Sequence, residues 1–488
     1  MKNIIVLAAG KAERMGDIYP QSKLFLSKGA VPIISNIIET FSDLENRFVF
    51  CIRQYQETLV RSYLKLAHPK LNYQIIAENT NSVLETLNLA VERVSYKRVP
   101  TIVTVADSFY ATKLNSFVVE DKWIAVAKKE EDSKDYILTT QPYHPVKWLN
   151  KPMKLENSFL AFTGTFCVPS LEYLKEVLAE SKTLYSLITK LDFKILVDLT
   201  HHWTDLGTKD KYGKVREKDF LRKLYDETFI LNNCVIKYFV FPERLDTYKT
   251  RLSQKFKASY KFIKTDYLKG TDIEHLTMSD MTSIFSKRVV PFNKMQEKTL
   301  QKRASFIIER VNSNRGQNNH ITGVTAALLD KASSILETLD LGFSYSLNKV
   351  HGDTTVQNII RTPLSNRKSK VSLIDPSSST FLPLGTTLLY ELSKLYASVN
   401  YNFKSFSEGA FYLTLENNYV SRVLVKNQSF NTHNILKFAL KHGITSHQLE
   451  VCAALHLICM SGNYYNKDVN NAFLHLGIAD LIYLNSKQ

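Results

Sequence analysis

Ile4-Ile5-Val6-Leu7-Ala8-Ala9-Gly10-Lys11-Ala12-Glu13-Arg14-Met15-Gly16, with Lys23 following, is the stretch that decides how the rest of the chain is read. An uninterrupted aliphatic run that gives way to small residues and a glycine reads as a buried parallel strand ending in a tight loop. The loop then opens a helix. Ala8, Ala9 and Gly10 let the backbone approach a ligand closely, and the N–H groups of such a loop suit phosphate oxygens. Arg14 and Lys23 add positive charge beside it. Downstream, a helical pattern from Val31-Pro32-Ile33-Ile34 to about Phe41 is followed by an apolar strand at 48–52, a helix through 59–66 and a strand at 73–76. A helix at 83–94 and a strand at 101–105 continue the series. This alternation predicts an α/β domain whose parallel sheet is covered by helices on both faces.

At 488 residues the chain is long enough for two or three domains. With 44% hydrophobic and 23% charged residues it has the composition of a soluble globular protein. The net charge of +16 is carried by scattered lysines rather than a basic arm, which fits clefts for phosphate-bearing substrates better than a nucleic-acid surface. No nucleic acid is expected as a partner. Cysteines at 51, 167, 234, 452 and 459 show no short paired spacing of the kind that zinc sites or disulfide frameworks use, so reduced thiols are expected. No run approaches the ~20 apolar residues that span a bilayer, and the early run from Ile4 to Ala9 soon turns polar. The expected location is the cytoplasm, with the formation of a homo-oligomer left open.

The letters L-A-A-G-x-x-x-R-M-G followed by a lysine resemble the signature of the nucleotidyltransferases that make nucleotide-sugars and CDP-alcohols, with Ser22-Lys23-Leu24 where Pro-Lys and a hydrophobic residue are usual. The resemblance implies a Rossmann-like domain in which Leu7, Ala8, Ala9 and Gly10 hold a nucleoside triphosphate while Arg14 and Lys23 neutralise its phosphates. Glu78, heading the segment Glu78-Asn79-Thr80-Asn81-Ser82-Val83-Leu84-Glu85-Thr86, stands where that family often contacts the base. The strand Thr101-Ile102-Val103-Thr104-Val105 delivers Ala106-Asp107 at its C-terminal end, where α/β sheets bind ligands; a carboxylate there is a hard oxygen ligand for Mg²⁺. The family has Gly-Asp at this point.

Lys151-Pro152, followed by the strand-like 157–166 with its glycine, resembles the family's Glu-Lys-Pro segment, whose lysine touches the phosphate of the acceptor sugar; Asn150 replaces the glutamate. His202-Trp203-Thr204-Asp205-Leu206-Gly207-Thr208-Lys209-Asp210-Lys211-Tyr212 resembles W-x-D-I-G-T-P-E-D-Y, in which the aspartate is the second metal ligand. Lys209 takes the place of the proline at a first-turn position, which bears on helix initiation more than on chemistry. Asp107 and Asp205 would thus share one Mg²⁺. In the implied reaction a phosphate oxygen of an acceptor monophosphate attacks the α-phosphorus of a nucleoside triphosphate, CTP or UTP, and pyrophosphate leaves. Positioning and charge neutralisation carry such a step.

A charged helical stretch from Tyr212 to about Tyr225 suggests a boundary near 220, giving a nucleotidyltransferase domain over 1–220 and a second domain over 221–488. There His351-Gly352-Asp353-Thr354-Thr355-Val356-Gln357-Asn358 obeys H-x-D-x-x-x-x-N. Asp353 could accept the proton of a substrate hydroxyl and Asn358 could reach Mg²⁺. Val371-Ser372-Leu373-Ile374-Asp375-Pro376 then reads as a short strand ending in a carboxylate, with 361–371 as the hairpin between. Together these motifs resemble the choline kinase and aminoglycoside phosphotransferase family. That resemblance implies a two-lobed, protein-kinase-like α+β domain using ATP, with a small lobe at about 221–270 and a large lobe at about 271–488. Lys237, on the strand 234–241, is the candidate for the ATP phosphates, and Glu243, on a helix from 242 to 256, its candidate partner. No Gly-rich phosphate loop is found. Helical periodicity marks 300–311, 324–341, 388–396, 435–440 and 449–460; His433, His442 and His447 sit singly and read as solvated or core residues.

The expected function is bifunctional: ATP-dependent phosphorylation of a small sugar or alcohol, then nucleotidyl transfer to that phosphate, giving a nucleotide-sugar or CDP-alcohol for a capsule or other surface polysaccharide. Two alternatives stand beside it. One is a choline kinase joined to a phosphocholine cytidylyltransferase, the other a nucleotidyltransferase carrying a catalytically inactive kinase-like binding module.

Overall fold

A computed structural model describes residues 1–10, 22–42, 45–114, 122–129, 136–139, 147–151, 158–216, 226–252, 254–268, 271–272, 276–286, 288–291, 345–347, 350–363, 369–377, 388–403, 411–416, 419–425 and 431–464. Arg14 and the helical patterns at 300–311 and 324–341 lie outside these residues. By its contacts the chain divides into a first unit of 1–240 with 256–267 and a second of 241–255 with 268–488. Among the described residues no helix is long and apolar enough to cross a membrane.

The first unit is built on a nine-stranded sheet. Asn3–Leu7 pairs in parallel with Arg47–Ile52 on one side and Thr101–Val105 on the other, and Tyr73–Ala77 extends the parallel run beyond Arg47–Ile52. Ile4 and Val6 face one apolar layer while Ile5 and Leu7 face another, so the first strand is apolar throughout because both of its faces are covered. Helices Ile33–Thr40 and Glu57–Ala67 supply the first layer, and Val83–Arg93, Leu171–Ala179 and Leu184–Lys190 the second. The sheet departs from the all-parallel expectation on its far side. Phe159–Val168 runs antiparallel to Thr101–Val105, and Trp123–Lys129 and Ile137–Thr139 pair antiparallel with it in turn. A continuous apolar run shows that a strand is buried but not which way it runs, which is why the sequence reading missed the change of direction.

Phe159–Val168 shifts register between Phe162 and Phe166, and Gly164 sits in this irregular stretch at φ +85°. A Cβ there would meet Val105 Cγ2 at 2.3 Å. Gly164→Ala is therefore expected to destabilise the first unit by about 1–3 kcal/mol through overpacking, with backbone strain in addition, read as a lower midpoint in urea unfolding.

The four-stranded antiparallel sheet of Asp226–Leu231, Cys234–Phe239, Phe262–Asp266 and Phe256–Ser259 was expected to open a separate second domain, yet its packing places it in the first unit. The reason is aromatic. Phe229, Tyr238 and Phe262 from the sheet gather around Phe25 and Tyr63, with ring centroids 5.2–6.5 Å apart. Helix Pro242–Arg251, which interrupts the sheet in sequence, counts with the second unit.

In the second unit the helices Met278–Phe285, Leu388–Asn400, His433–Lys441 and Ser446–Tyr464 contribute to one apolar core. The antiparallel hairpin of Ile359–Pro363 with Ser369–Leu373 packs Ile359 and Leu373 into that core.

Candidate active site

The first strand ends at Leu7, and the loop after it is fixed by backbone bonds to neighbouring strand ends: Ala8 N–H donates to Cys51 O at 2.8 Å, and Ala106 N–H to Leu7 O at 3.1 Å. The Arg53 guanidinium donates to Ala9 O at 3.1 Å and Thr80 O at 3.4 Å, tying this loop to the start of helix Val83–Arg93. Between these parts lies a cavity of about 550 Å³ lined by Leu7, Ala8, Ala9, Gly10, Lys23, the run Thr80 to Val83, Thr86, Val105, Ala106 and Asp107. The strand-ends-and-loop arrangement is where parallel α/β sheets bind ligands. Ser82 caps the helix by accepting from Glu85 N–H at 3.1 Å, leaving the helix start beside the cavity.

Lys23, at the head of a short helical turn capped by Ser22, donates to Asp107 Oδ2 at 3.2 Å. Asp107 is the second residue of the two-residue turn that follows Thr101–Val105. Its neighbour Ser108 is pinned by donating to Thr163 O at 2.9 Å and accepting from the Trp203 indole at 3.0 Å. The short strand Trp203–Asp205 pairs antiparallel with Ser108–Tyr110, setting Asp205 opposite Ser108. In consequence the two aspartates, remote in sequence, converge. A Cβ built on Gly207 would lie 2.9 Å from Asp107 Oδ2 and 2.9 Å from Asp205 Oδ1, so any larger residue there would push the two carboxylates from where they meet.

Asp205 Oδ1 accepts from Gly207 N–H at 2.8 Å, and Oδ2 accepts from the Tyr136 hydroxyl at 2.8 Å and Lys211 Nζ at 2.9 Å. Burial would raise the Asp205 carboxyl, but Lys211, the Gly207 N–H and Tyr136 together hold it below the ordinary value. Burial and then the Asp205 charge push the Tyr136 phenol up. For Lys211 burial acts in the opposite sense and is outweighed by Tyr136 and Asp205, so its ammonium is held above the usual value.

The donor chemistry suits a hard divalent cation: two carboxylates share a cradle that a single added methyl would fill. Among the described residues no group of three or more His, Cys, Asp or Glu side chains could hold a metal ion. Mg²⁺ at such a pair would complete its shell with phosphate and water oxygens, as this ion commonly does.

Of the residues anticipated in this unit, Leu7, Ala8, Ala9, Gly10, Lys23 and Asp107 line one cavity, and Asp205 joins Asp107 beside it. Lys151 is exposed at φ +44°, its N–H bonded to Tyr136 O at 3.0 Å, one step from the Asp205 cluster. Glu78 instead pairs with Arg93 at 2.9 Å and is not among the residues that line the cavity. Thr80 to Val83, just beyond it, line the cavity. Tyr136 carried no signal at all in the sequence, and Lys211 was visible only as a letter inside the Trp203 motif.

In the second unit Asn358 Nδ2 donates to Asp353 O at 2.8 Å and to Asp353 Oδ2 at 3.1 Å. Lys394 Nζ meets Asp353 Oδ1 at 2.6 Å and Gly352 O at 3.1 Å. Ile374 N–H donates to Asn358 O at 2.8 Å, and the His351 ring bonds Ile374 O at 2.8 Å, so Asp375 follows directly on the segment that holds the Asp353 loop. Asp375 has φ +49°, a conformation that non-glycine residues adopt where surroundings enforce it. Lys237, on Cys234–Phe239, is buried with its ammonium 5.8 Å from the Phe239 ring centroid; this strand belongs to the first unit.

The loop itself rests on Glu391, a buried carboxylate that accepts from Gly352 N–H at 2.8 Å, from His351 N–H and Thr354 Oγ1 at 2.5 Å each, and from Arg288. Burial would raise the Glu391 carboxyl, yet Arg288 and these donors hold it below the usual value, while burial drives the His351 ring down. Its stabilisation is accordingly present above the ordinary glutamate range and lost as the pH falls through its depressed value. Glu391→Gln is expected to cost about 3–5 kcal/mol by removing the charge of a fully buried carboxylate that Arg288, Thr354 and the His351 and Gly352 N–H groups all meet. It should also flatten the acid limb of the unfolding profile, measured by denaturant midpoints across acidic pH.

No protein-family model matches the chain, and no curated protein does. Among solved structures, it is similar to a nucleoside-diphosphate-sugar pyrophosphorylase from Vibrio cholerae at 19% identity and TM-score 0.36, covering 44% of this chain and 100% of that one. It is also similar to the CTP:phosphocholine cytidylyltransferase of Streptococcus pneumoniae at 15% identity and TM-score 0.36, covering 44% and 98%. An inositol-1-phosphate CTP transferase from T. maritima matches at 16% identity and TM-score 0.35, covering 45% and 97%. The matched part is N-terminal.

Proposed function

We propose that the chain activates a small hydroxylated metabolite in two steps. ATP first phosphorylates a hydroxyl at the Asp353 site; a nucleotidyl group from CTP or UTP is then joined to that phosphate at the Asp107–Asp205 site, with release of pyrophosphate. The product is a nucleotide-sugar or CDP-alcohol, of the kind that feeds a capsule or other surface polysaccharide. The observation that carries this reading is the convergence of Asp107 and Asp205 on Gly207 beside the cavity bounded by Leu7 to Gly10 and Lys23.

In the nucleotidyl step an oxygen of the acceptor phosphate bonds to the α-phosphorus, the bond from that phosphorus to the bridging oxygen breaks, and pyrophosphate carries away the electron pair. The backbone of Ala8 to Gly10 cradles the triphosphate, and Lys23 neutralises it. Arg14 adds charge on the strength of the sequence resemblance. Asp107 and Asp205 would hold Mg²⁺, which when bound supplies positive charge to the phosphate oxygens. In the phosphorylation step the substrate hydroxyl oxygen bonds to the γ-phosphorus of ATP as the bond to the β–γ bridging oxygen breaks and ADP leaves; Asp353 orients the hydroxyl and accepts its proton, and Asn358 with Asp375 would hold the cation that accompanies ATP.

The test is to incubate the protein with ATP and each of CTP, UTP, GTP and dTTP over a panel of sugars, polyols and choline, free and phosphorylated, and to follow pyrophosphate. Release is expected to need ATP with a free acceptor and to proceed without it when the acceptor is already phosphorylated. Absence of pyrophosphate with every phosphorylated acceptor would contradict the reading.

A further inference from the structure

We propose that Lys211 and Tyr136 form the subsite that receives the phosphate of the acceptor, a reading that rests on the nucleotidyltransferase assignment of the first unit. Each carboxylate of the Asp107–Asp205 pair is bound to a lysine, and the two lysines differ in where they stand. Lys23, on Asp107, lines the cavity bounded by Leu7 to Gly10; Lys211, on Asp205, is not among the residues described as lining it. The reaction brings two anions together at these carboxylates, one from the cavity and one from another direction. Lys211 is the cation on the side of Asp205.

Its setting is that of a docking group for an anion. Lys211 Nζ lies 2.8 Å from the Tyr136 hydroxyl and 4.6 Å from the centre of that ring, and its side chain is 19% exposed, so it is oriented yet reachable. Tyr136 packs edge-on against Trp203, with centroids 6.0 Å apart, and Lys129 Nζ sits 5.0 Å from the Trp203 ring. Lys28 donates to Thr204 Oγ1 at 2.9 Å on the same short strand. The exposed Lys151 adjoins through its N–H bond to Tyr136 O. Lys211, Lys129 and Lys28 thus each meet the Trp203–Asp205 strand. A phosphate monoester, doubly charged and rich in acceptor oxygens, is the ligand class that these ammonium groups and the Tyr136 hydroxyl fit.

The test uses the full chain and the variants Lys211→Met, Lys211→Arg and Tyr136→Phe. Calorimetry measures binding of non-hydrolysable analogues of CTP and UTP with Mg²⁺, then of inorganic phosphate to the nucleotide-loaded protein. Turnover is followed with glucose 1-phosphate and phosphocholine. Lys211→Met is expected to raise the phosphate Kd and the acceptor KM by about 10-fold or more, the loss of one charge-assisted bond, with nucleotide affinity unchanged. Lys211→Arg should recover most of the loss, and Tyr136→Phe should give a smaller rise of the same kind. Unchanged phosphate binding and acceptor KM in Lys211→Met would overturn the proposal while leaving the nucleotidyltransferase reading intact. Nucleotide binding weakened as much as phosphate binding would also overturn it, because Lys211 would then serve only to align Asp205. A wild-type protein that binds neither nucleotide would remove the underlying reading and this proposal together.

Discussion

Asp107→Asn is expected to lower pyrophosphate release by on the order of 10³-fold and to leave ATP-dependent phosphorylation unchanged. The asparagine is nearly the same shape, so the turn held by Ser108 and the pairing of Trp203–Asp205 with Ser108–Tyr110 should survive. What is lost is one of two negative charges meeting at Gly207, and with it both the partner of Lys23 and a hard ligand for Mg²⁺. The carboxamide offers one neutral oxygen in exchange. Thermal unfolding at the wild-type midpoint, together with an unaltered phosphorylation rate, would separate this chemical loss from misfolding. Pyrophosphate release close to the wild-type rate would show that Asp107 has no part in the step.

The mirror-image experiment is Asp353→Asn, expected to cut phosphorylation by about 10²- to 10⁴-fold, the usual worth of a positioned general base, while pyrophosphate release with a phosphorylated acceptor continues. The loop geometry should persist, since it is set by Glu391 bonding to the backbone of His351 and Gly352 and by the Asn358 bond to Asp353 O. An asparagine cannot accept the hydroxyl proton, and it removes the charge that Lys394 meets at 2.6 Å. Loss of both activities from either substitution in a folded protein would refute the division of labour.

The parts of the site legible in the sequence are those whose position is decided locally. Leu7 to Gly10, Asp107 and Asp205 each close or follow a short run of strand-forming residues, so the run announces where the chain stops and the side chain emerges. Asp353 and Asn358 are likewise held by one loop. Tyr136 could not be found this way: it reaches Asp205 across 69 residues, and only the antiparallel pairing of Ile137–Thr139 with Phe159–Val168 brings it there. Arg53 is another such case, acting on a loop 44 residues earlier. Glu391 and Lys394 share a helix whose sequence shows an apolar face but not that its two charged residues hold the Asp353 loop. The sheet at 226–266 reads as a unit of its own by pattern, yet the aromatic residues that fix it to Phe25 and Tyr63 are ordinary core residues until packed.

We propose that two separate magnesium-dependent sites act in sequence on one small molecule. It is tested most directly by mixing Asp107→Asn with Asp353→Asn and supplying ATP, CTP or UTP, Mg²⁺ and the unphosphorylated acceptor. Each variant alone should yield no nucleotidylated product, and the mixture should restore it, with pyrophosphate appearing only after phosphorylated acceptor accumulates. A mixture that stays inactive while each variant keeps its own half-reaction, or a single variant that completes both steps, would contradict the account.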